Sequence, residues 1–228
     1  MVKIASCFGG MGKRTLSKQP FFQSIIDHAD REWQGKLDTF AKVNRAKYLD
    51  FATFIEPTSF TSEEVFKRIA FSILSVQTPF DRACGAFAKV IQVKDRSSYK
   101  AIYRATSDCM YCATKIRGLM EAWQAVQANF NQFERQDAES WHDYRVRLTA
   151  YHGLGKAKAT FAACLMYPLT ADLACLDTWM MKQFKLDASL NGRLSWDQYQ
   201  AIEDKVRIHA RRWKVGTFVA QWMIWDHA

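Results

Sequence analysis

The sequence predicts an all-α fold, and three observations carry that prediction. Apolar residues recur at three- and four-residue intervals along almost the whole chain. No stretch alternates apolar and polar residues as a half-buried strand must. Hydroxyl residues that suit helix N-caps stand before successive apolar runs, at Thr61, Ser140 and Ser195. With 228 residues, 49% of them hydrophobic, and with sixteen Phe and eight Trp, the chain is long enough to bury a substantial core, which excludes global disorder.

Taken in order, residues 1–19 read as a flexible leader and 20–228 as one helical domain. The leader's "CFGGMGKRT" is not a phosphate-binding loop, because Arg14 stands where Ser or Thr is needed and Cys7 where the first Gly is needed. Phe21, Phe22, Ile25 and Ile26 share a helical face, and "KLDTFAKVNRAKYLDFATF" continues the pattern to about residue 55, before Glu56-Pro57 breaks it. Thr61 with Glu64 forms a capping box for a helix through Val65, Ile69, Ile73 and Val76, stopped by Pro79. A third helix carries Phe80, Phe87, Val90 and Ile91. The fourth runs from about Asp108 through Ile116, Leu119, Trp123 and Val126. Ser140 caps "WHDYRVRLTAY", and Ser195 with Gln198 caps a helix through Tyr199, Ile202, Val206 and Trp213. The closing "GTFVAQWMIWDHA" is apolar enough to complete the core.

Thirty-two Lys and Arg against twenty-three Asp and Glu leave a formal charge of +9, which suits a polyanionic partner as well as it suits an ordinary basic protein. The six cysteines sit mostly in apolar segments, as reduced intracellular thiols do. Cys109 and Cys112 form a CxxC with no second pair downstream, so no metal is expected. No apolar run reaches the length of a membrane span. A cytoplasmic, nucleoid-associated monomer in a bacterial or phage-infected cell is the expectation.

The stretch "YHGLGKAKATFAACLMYPLTADLACLDTWM" carries the chemistry. A helix ending near Tyr151, a His-Gly-Leu-Gly turn and a new helix from Lys156 make a helix-hairpin-helix over residues 148–160. Its glycines permit a tight bend, and the free amides of the second helix's first turn form an anion site that grips phosphate without reading sequence. Lys156 and Lys158 add charge. Gly-x-Gly also ends ordinary helices, so the turn alone decides little. Beyond Pro168, Asp177 lies between Leu176 and Thr178, where it is either a plain N-cap or a carboxylate that steadies a sugar cation or orients water.

Together "LTAYHGLGKAKATFAACL" and "ACLDTWMMKQF" resemble the helix-hairpin-helix, Gly-Pro-Asp superfamily of DNA glycosylases, of the endonuclease III-like fold; "FKRIAFSILSVQTPFDRACGAF" and "MYCATKIRGLMEAW" are similar to its earlier segments. The resemblance implies a two-lobed helical bundle acting on double-stranded DNA with a flipped nucleotide, without a cofactor. It implies that Gly153, Leu154, Gly155, Lys156 and Lys158 hold the DNA backbone, that Asp177 is the catalytic carboxylate, and that Gln77 lies near the gap a flipped base leaves. Lys182 matches a frequent basic position. Trp179 replaces the usual His and either stacks on a base or packs in the core, the latter being the simpler expectation. Tyr111, Lys115, Trp141 and His152 are further candidates for pocket or rim.

Two departures limit what carries over. Bifunctional relatives place an imine-forming lysine where this chain has Ala157, and one helical step turns Lys158 by about 100°, so Lys158 is expected to aim elsewhere. The C-terminal four-cysteine cluster of some relatives is absent, since the last cysteine is Cys175. A monofunctional glycosylase is the leading expectation. The alternatives are a phage-type transferase acting on a hypermodified thymine with the glycosidic bond kept, and a DNA-binding module without catalysis.

Overall fold

The computed structural model describes residues 20–227, and among them every regular element is a helix. The leader, with Cys7 and its glycines, lies outside the described residues, as do the side chains of Phe21, Phe22, Ile25 and Ile26. The chain divides into two units, Met1–Val43 and Asn44–Ala228. In the first, the described part is the opening stretch of α1 (Pro20–Ile55), laced by Lys36 on Glu32 at 2.6 Å and Gln34 on Asp38 at 2.9 Å.

The second unit is built around α2 (Ser62–Leu74), which packs against α3 (Phe80–Ile91), α5 (Cys112–Asn129) and α7 (Lys156–Met166). The faces read from sequence meet there: Val65, Ile69 and Ile73 share one core with Ile116, Leu119, Val126 and Cys164. Thr61 caps α2 through the Glu64 N–H at 3.3 Å. The expected capping box is only half formed, because the Glu64 carboxylate turns to Lys67 and Arg68, at 2.8 and 2.5 Å. The helix stops at Leu74, short of Val76: Pro79 disfavours helical backbone before it, and Gln77 adopts a left-handed φ of 45°.

The stretch from α4 to α6 also differs from the sequence reading. Ser98 caps an unexpected short helix, α4 (Tyr99–Thr106), which buries Ile102 and Ala105. α5 then begins at Cys112 rather than near Asp108, because Tyr111 is left-handed, with φ 55°. Ser140 caps α6 (Trp141–Leu148), which ends before Tyr151. The chain continues through α8 (Thr178–Gln183), α9 (Trp196–Trp213) and α10 (Thr217–His227). The Ser195–Gln198 capping box of α9 is complete, at 3.1 and 2.8 Å. No helix among the described residues is long and apolar enough to cross a membrane.

Candidate active site and nucleic-acid interface

Between Pro168 and Thr178 the chain leaves the helical repeat while staying buried from Leu173 to Leu176, so its amides need partners that a helix would have supplied. Three buried side chains provide them. The Ala174 N–H donates to Glu203 Oε1 at 2.7 Å, the Cys175 N–H to Gln221 Oε1 at 2.6 Å, and the Leu176 N–H to the Tyr199 hydroxyl at 2.8 Å. Tyr199 in turn donates to the Ala174 carbonyl at 3.2 Å. Glu203 is fully buried, and burial holds its carboxyl above the usual range against the pull of Arg145 and Arg207, each 2.8 Å away. Arg145, equally buried, lies over the Trp196 and Tyr199 rings at 4.8 and 5.0 Å.

This network ends at Asp177. One carboxylate oxygen caps α8 by accepting the Met180 N–H at 2.8 Å, which is the N-cap role foreseen for it. Capping does not bury the acid, for Asp177 is half-buried and lines two concavities at once. One is an aromatic pocket with a cavity volume of about 110 Å³, walled by Phe71, Phe80, Phe161, Trp222 and Trp225. Its rings meet edge to face or tilted, with Phe80 6.3 Å from Trp222 and 6.1 Å from Trp225. The other is an open groove of about 920 Å³ lined by Gln77, Gly153, Gly155, Lys156, Ala157, Trp179 and Lys182 among others. Ser75, Thr78, Lys158 and Asp177 belong to both, so the groove opens into the pocket at the acid.

The hairpin forms for the reasons its glycines suggest. Gly153 has φ +87°, and Gly155 starts α7 with no side-chain cap; the Lys158 N–H turns back to the Gly155 carbonyl at 2.9 Å, which leaves the Lys156 and Ala157 amides to a ligand. Leu154 is 1% exposed, so its side chain anchors the turn in the core and only its backbone is available to a ligand. Gly118 of α5 lets the turn seat closely: a Cβ there would stand 2.9 Å from the His152 carbonyl oxygen. Gly118→Ala is therefore expected to cost about 1–3 kcal/mol by displacing the turn, which urea unfolding checks.

Lys158 overturns one expectation. Its stem passes Phe161, with the amine 5.4 Å from the ring centroid, and it lines both concavities instead of aiming away. The first turn of α7 projects into the groove, so Ala157 and Lys158 both face it, and an angular offset about the helix axis does not separate them. Trp179 also departs from the simpler expectation: it is 41% exposed on the groove wall, its indole N–H donating to the Trp225 carbonyl at 3.2 Å. Lys156 lies along the groove, but its amine donates to the Leu194 carbonyl and sits 5.2 Å over Trp196.

The other candidates disperse. Lys115 is 2% exposed beneath the end of α2, donating to the Leu74 carbonyl at 2.9 Å and to the Thr78 hydroxyl. Burial holds its ammonium below the ordinary range. Between that folded value and the unfolded one, about 10.4, the unfolded chain binds the extra proton, so stability rises with pH through this window. Stability measured against pH should show that rise in the wild type and lack its share in Lys115→Met. Tyr111 is 59% exposed and is not among the residues lining either concavity. His152 lines a depression with Arg117 and Glu121 that meets the groove at Gly153 and Gly155, its Nε2 without a partner. Trp141 packs on Tyr144 and Tyr167.

Sequence reasoning missed Gln221, Trp222, Trp225 and Cys175 as pocket residues, although a lone Gln inside "TFVAQWMIW" was a usable signal. Burial pushes the Cys175 thiol up to about 12, so at neutral pH it is protonated and a poor nucleophile. Asp177 and Lys158 are left as the groups that can act on a ligand at the junction. No protein-family model, curated protein or solved structure matches this chain.

Proposed function

We propose that the chain flips a nucleotide out of double-stranded DNA into the aromatic pocket and acts on it with Asp177, as a monofunctional DNA glycosylase hydrolysing the N-glycosidic bond of a damaged or modified base. One observation carries the reading: the hairpin amides, Lys158 and Asp177 line a single groove that opens, at the acid, into a pocket walled by aromatic rings. The groove takes the backbone, since peptide N–H groups and lysines suit phosphate whatever the sequence. The pocket takes the base, whose faces stack or pack on Phe and Trp. Asp177 steadies the positive charge that develops on the sugar as the bond to the base breaks, and its carboxylate orients the incoming water. The arrangement we infer is two-lobed, with the larger core on one side of the groove and the cluster of Leu176, Met181, Leu194 and Tyr199 on the other.

The position of Lys158 favours a second reading, in which its amine replaces the base at the sugar carbon and forms an imine, so that excision is followed by strand cleavage. One experiment separates the readings. Duplexes carrying a panel of damaged and modified bases are incubated with the protein, with and without borohydride, and bases, nucleosides and strands are weighed by mass spectrometry. Free base and an abasic strand support hydrolysis. A borohydride-trapped adduct lost in Lys158→Met supports the imine. A changed base mass on intact strands indicates a base-modifying transferase, and binding with no product indicates a module without catalysis.

A further inference from the structure

Gln221 interrupts the apolar run of α10 and stands in the wall of the aromatic pocket, 6% exposed. A buried amide is costly unless its polar atoms find partners. Its oxygen has one, the Cys175 N–H at 2.6 Å. Because a backbone N–H can only donate, that bond fixes which way round the carboxamide lies, and the end left to the pocket is the NH2, a pair of donors.

The remaining polar groups of the pocket divide into donors and acceptors. The Ser75 hydroxyl spends its proton on the Ser72 carbonyl at 2.8 Å, and the Thr78 hydroxyl spends its own on the Val76 carbonyl at 3.1 Å while accepting from Lys115. Lys158 can only donate. The Ser75 oxygen is thereby left, with Asp177 at the mouth, as an acceptor, while the Gln221 NH2 and Lys158 are the donors, and a ligand that answers those donors presents oxygen acceptors.

We propose that Gln221 is a specificity-determining residue and that the pocket takes bases with a keto edge, namely uracil, thymine, guanine and their derivatives, over the amino bases adenine and cytosine. An exocyclic amine turned toward Gln221 would set N–H against N–H and leave both unpaired, whereas a carbonyl oxygen accepts. The inference rests on the reading of the chain as a base-flipping enzyme and specifies what that enzyme flips.

The test is a fluorescence-anisotropy titration of the full chain with duplexes carrying a single bulged uracil, thymine, guanine, cytosine or adenine, at one fixed salt concentration, against a fully paired control. Wild type should bind the keto bulges about tenfold more tightly than the amino bulges, the worth of one well-made hydrogen bond. Equal affinity across the five bulges would overturn the proposal without recourse to any variant. Gln221→Glu keeps an oxygen for the Cys175 N–H and turns the pocket-facing group from donor to acceptor, so the preference should vanish or invert. A Gln221→Glu protein with the wild-type ratio, its thermal midpoint lowered only in Gln221→Leu, would reduce Gln221 to a scaffold residue. If no bulge binds better than paired duplex, the base-flipping reading fails and the proposal falls with it. If bulges bind better but without a keto preference, only the assignment to Gln221 fails.

Discussion

Asp177→Asn is expected to lower turnover by roughly 10²- to 10⁴-fold, the range for losing a positioned acid or base, while leaving fold and DNA affinity nearly unchanged. The substitution separates the cap that Asp177 forms from the catalytic role proposed for it. An asparagine side-chain oxygen still accepts the Met180 N–H that Asp177 accepts at 2.8 Å, so the cap on α8 survives. What is lost is the negative charge at the junction of groove and pocket. Asp177→Ala removes cap and charge together and should add a destabilisation of about 1 kcal/mol. Single-turnover rates, duplex affinity and urea midpoints of the two variants give the comparison. Full activity in Asp177→Asn would reduce Asp177 to a helix cap and end the catalytic assignment.

Glu203→Ala is expected to destabilise the protein by about 3–5 kcal/mol, because it strips a fully buried ion pair of one partner. Arg145 would be left charged with no counter-ion inside the core, and Arg207 would lose one of its carboxylates. The Ala174 N–H, which donates to Glu203 at 2.7 Å, would lose its acceptor. Since that amide begins the stretch that ends at Asp177, activity should fall even at temperatures where the protein remains folded. Urea unfolding measures the first effect, through a lowered midpoint at an unchanged slope. Single-turnover rates well below the midpoint measure the second. A Glu203→Ala protein with normal turnover per folded molecule would show that the network stabilises the core without positioning the acid.

Much of the fold was legible because helix formation is governed by local spacing. The apolar periods of Val65, Ile69 and Ile73 and of Ile116, Leu119 and Val126 could be read directly, and they meet in one core. The caps at Ser140 and Ser195 were equally local. α4 was missed because its buried face, chiefly Ile102 and Ala105, is too short to show a period. Lys158 was misplaced for a related reason: an angle about a helix axis says where a side chain leaves the helix, not where the neighbouring wall stands.

The sequence by itself determined a helical fold class, a hairpin with Gly153 where a left-handed residue is needed, and an acid at a position able to cap the helix that follows. These depend on residues within a few positions of one another. The tertiary structure alone decided that the acid would face a pocket, that Phe71, Phe80, Trp222 and Trp225 would wall it, and that Gln221, Tyr199 and Glu203 would hold the segment before it. Those partners lie far apart along the chain, and what brings them together is the need of three buried, non-helical amides for acceptors, a demand that has no local signature.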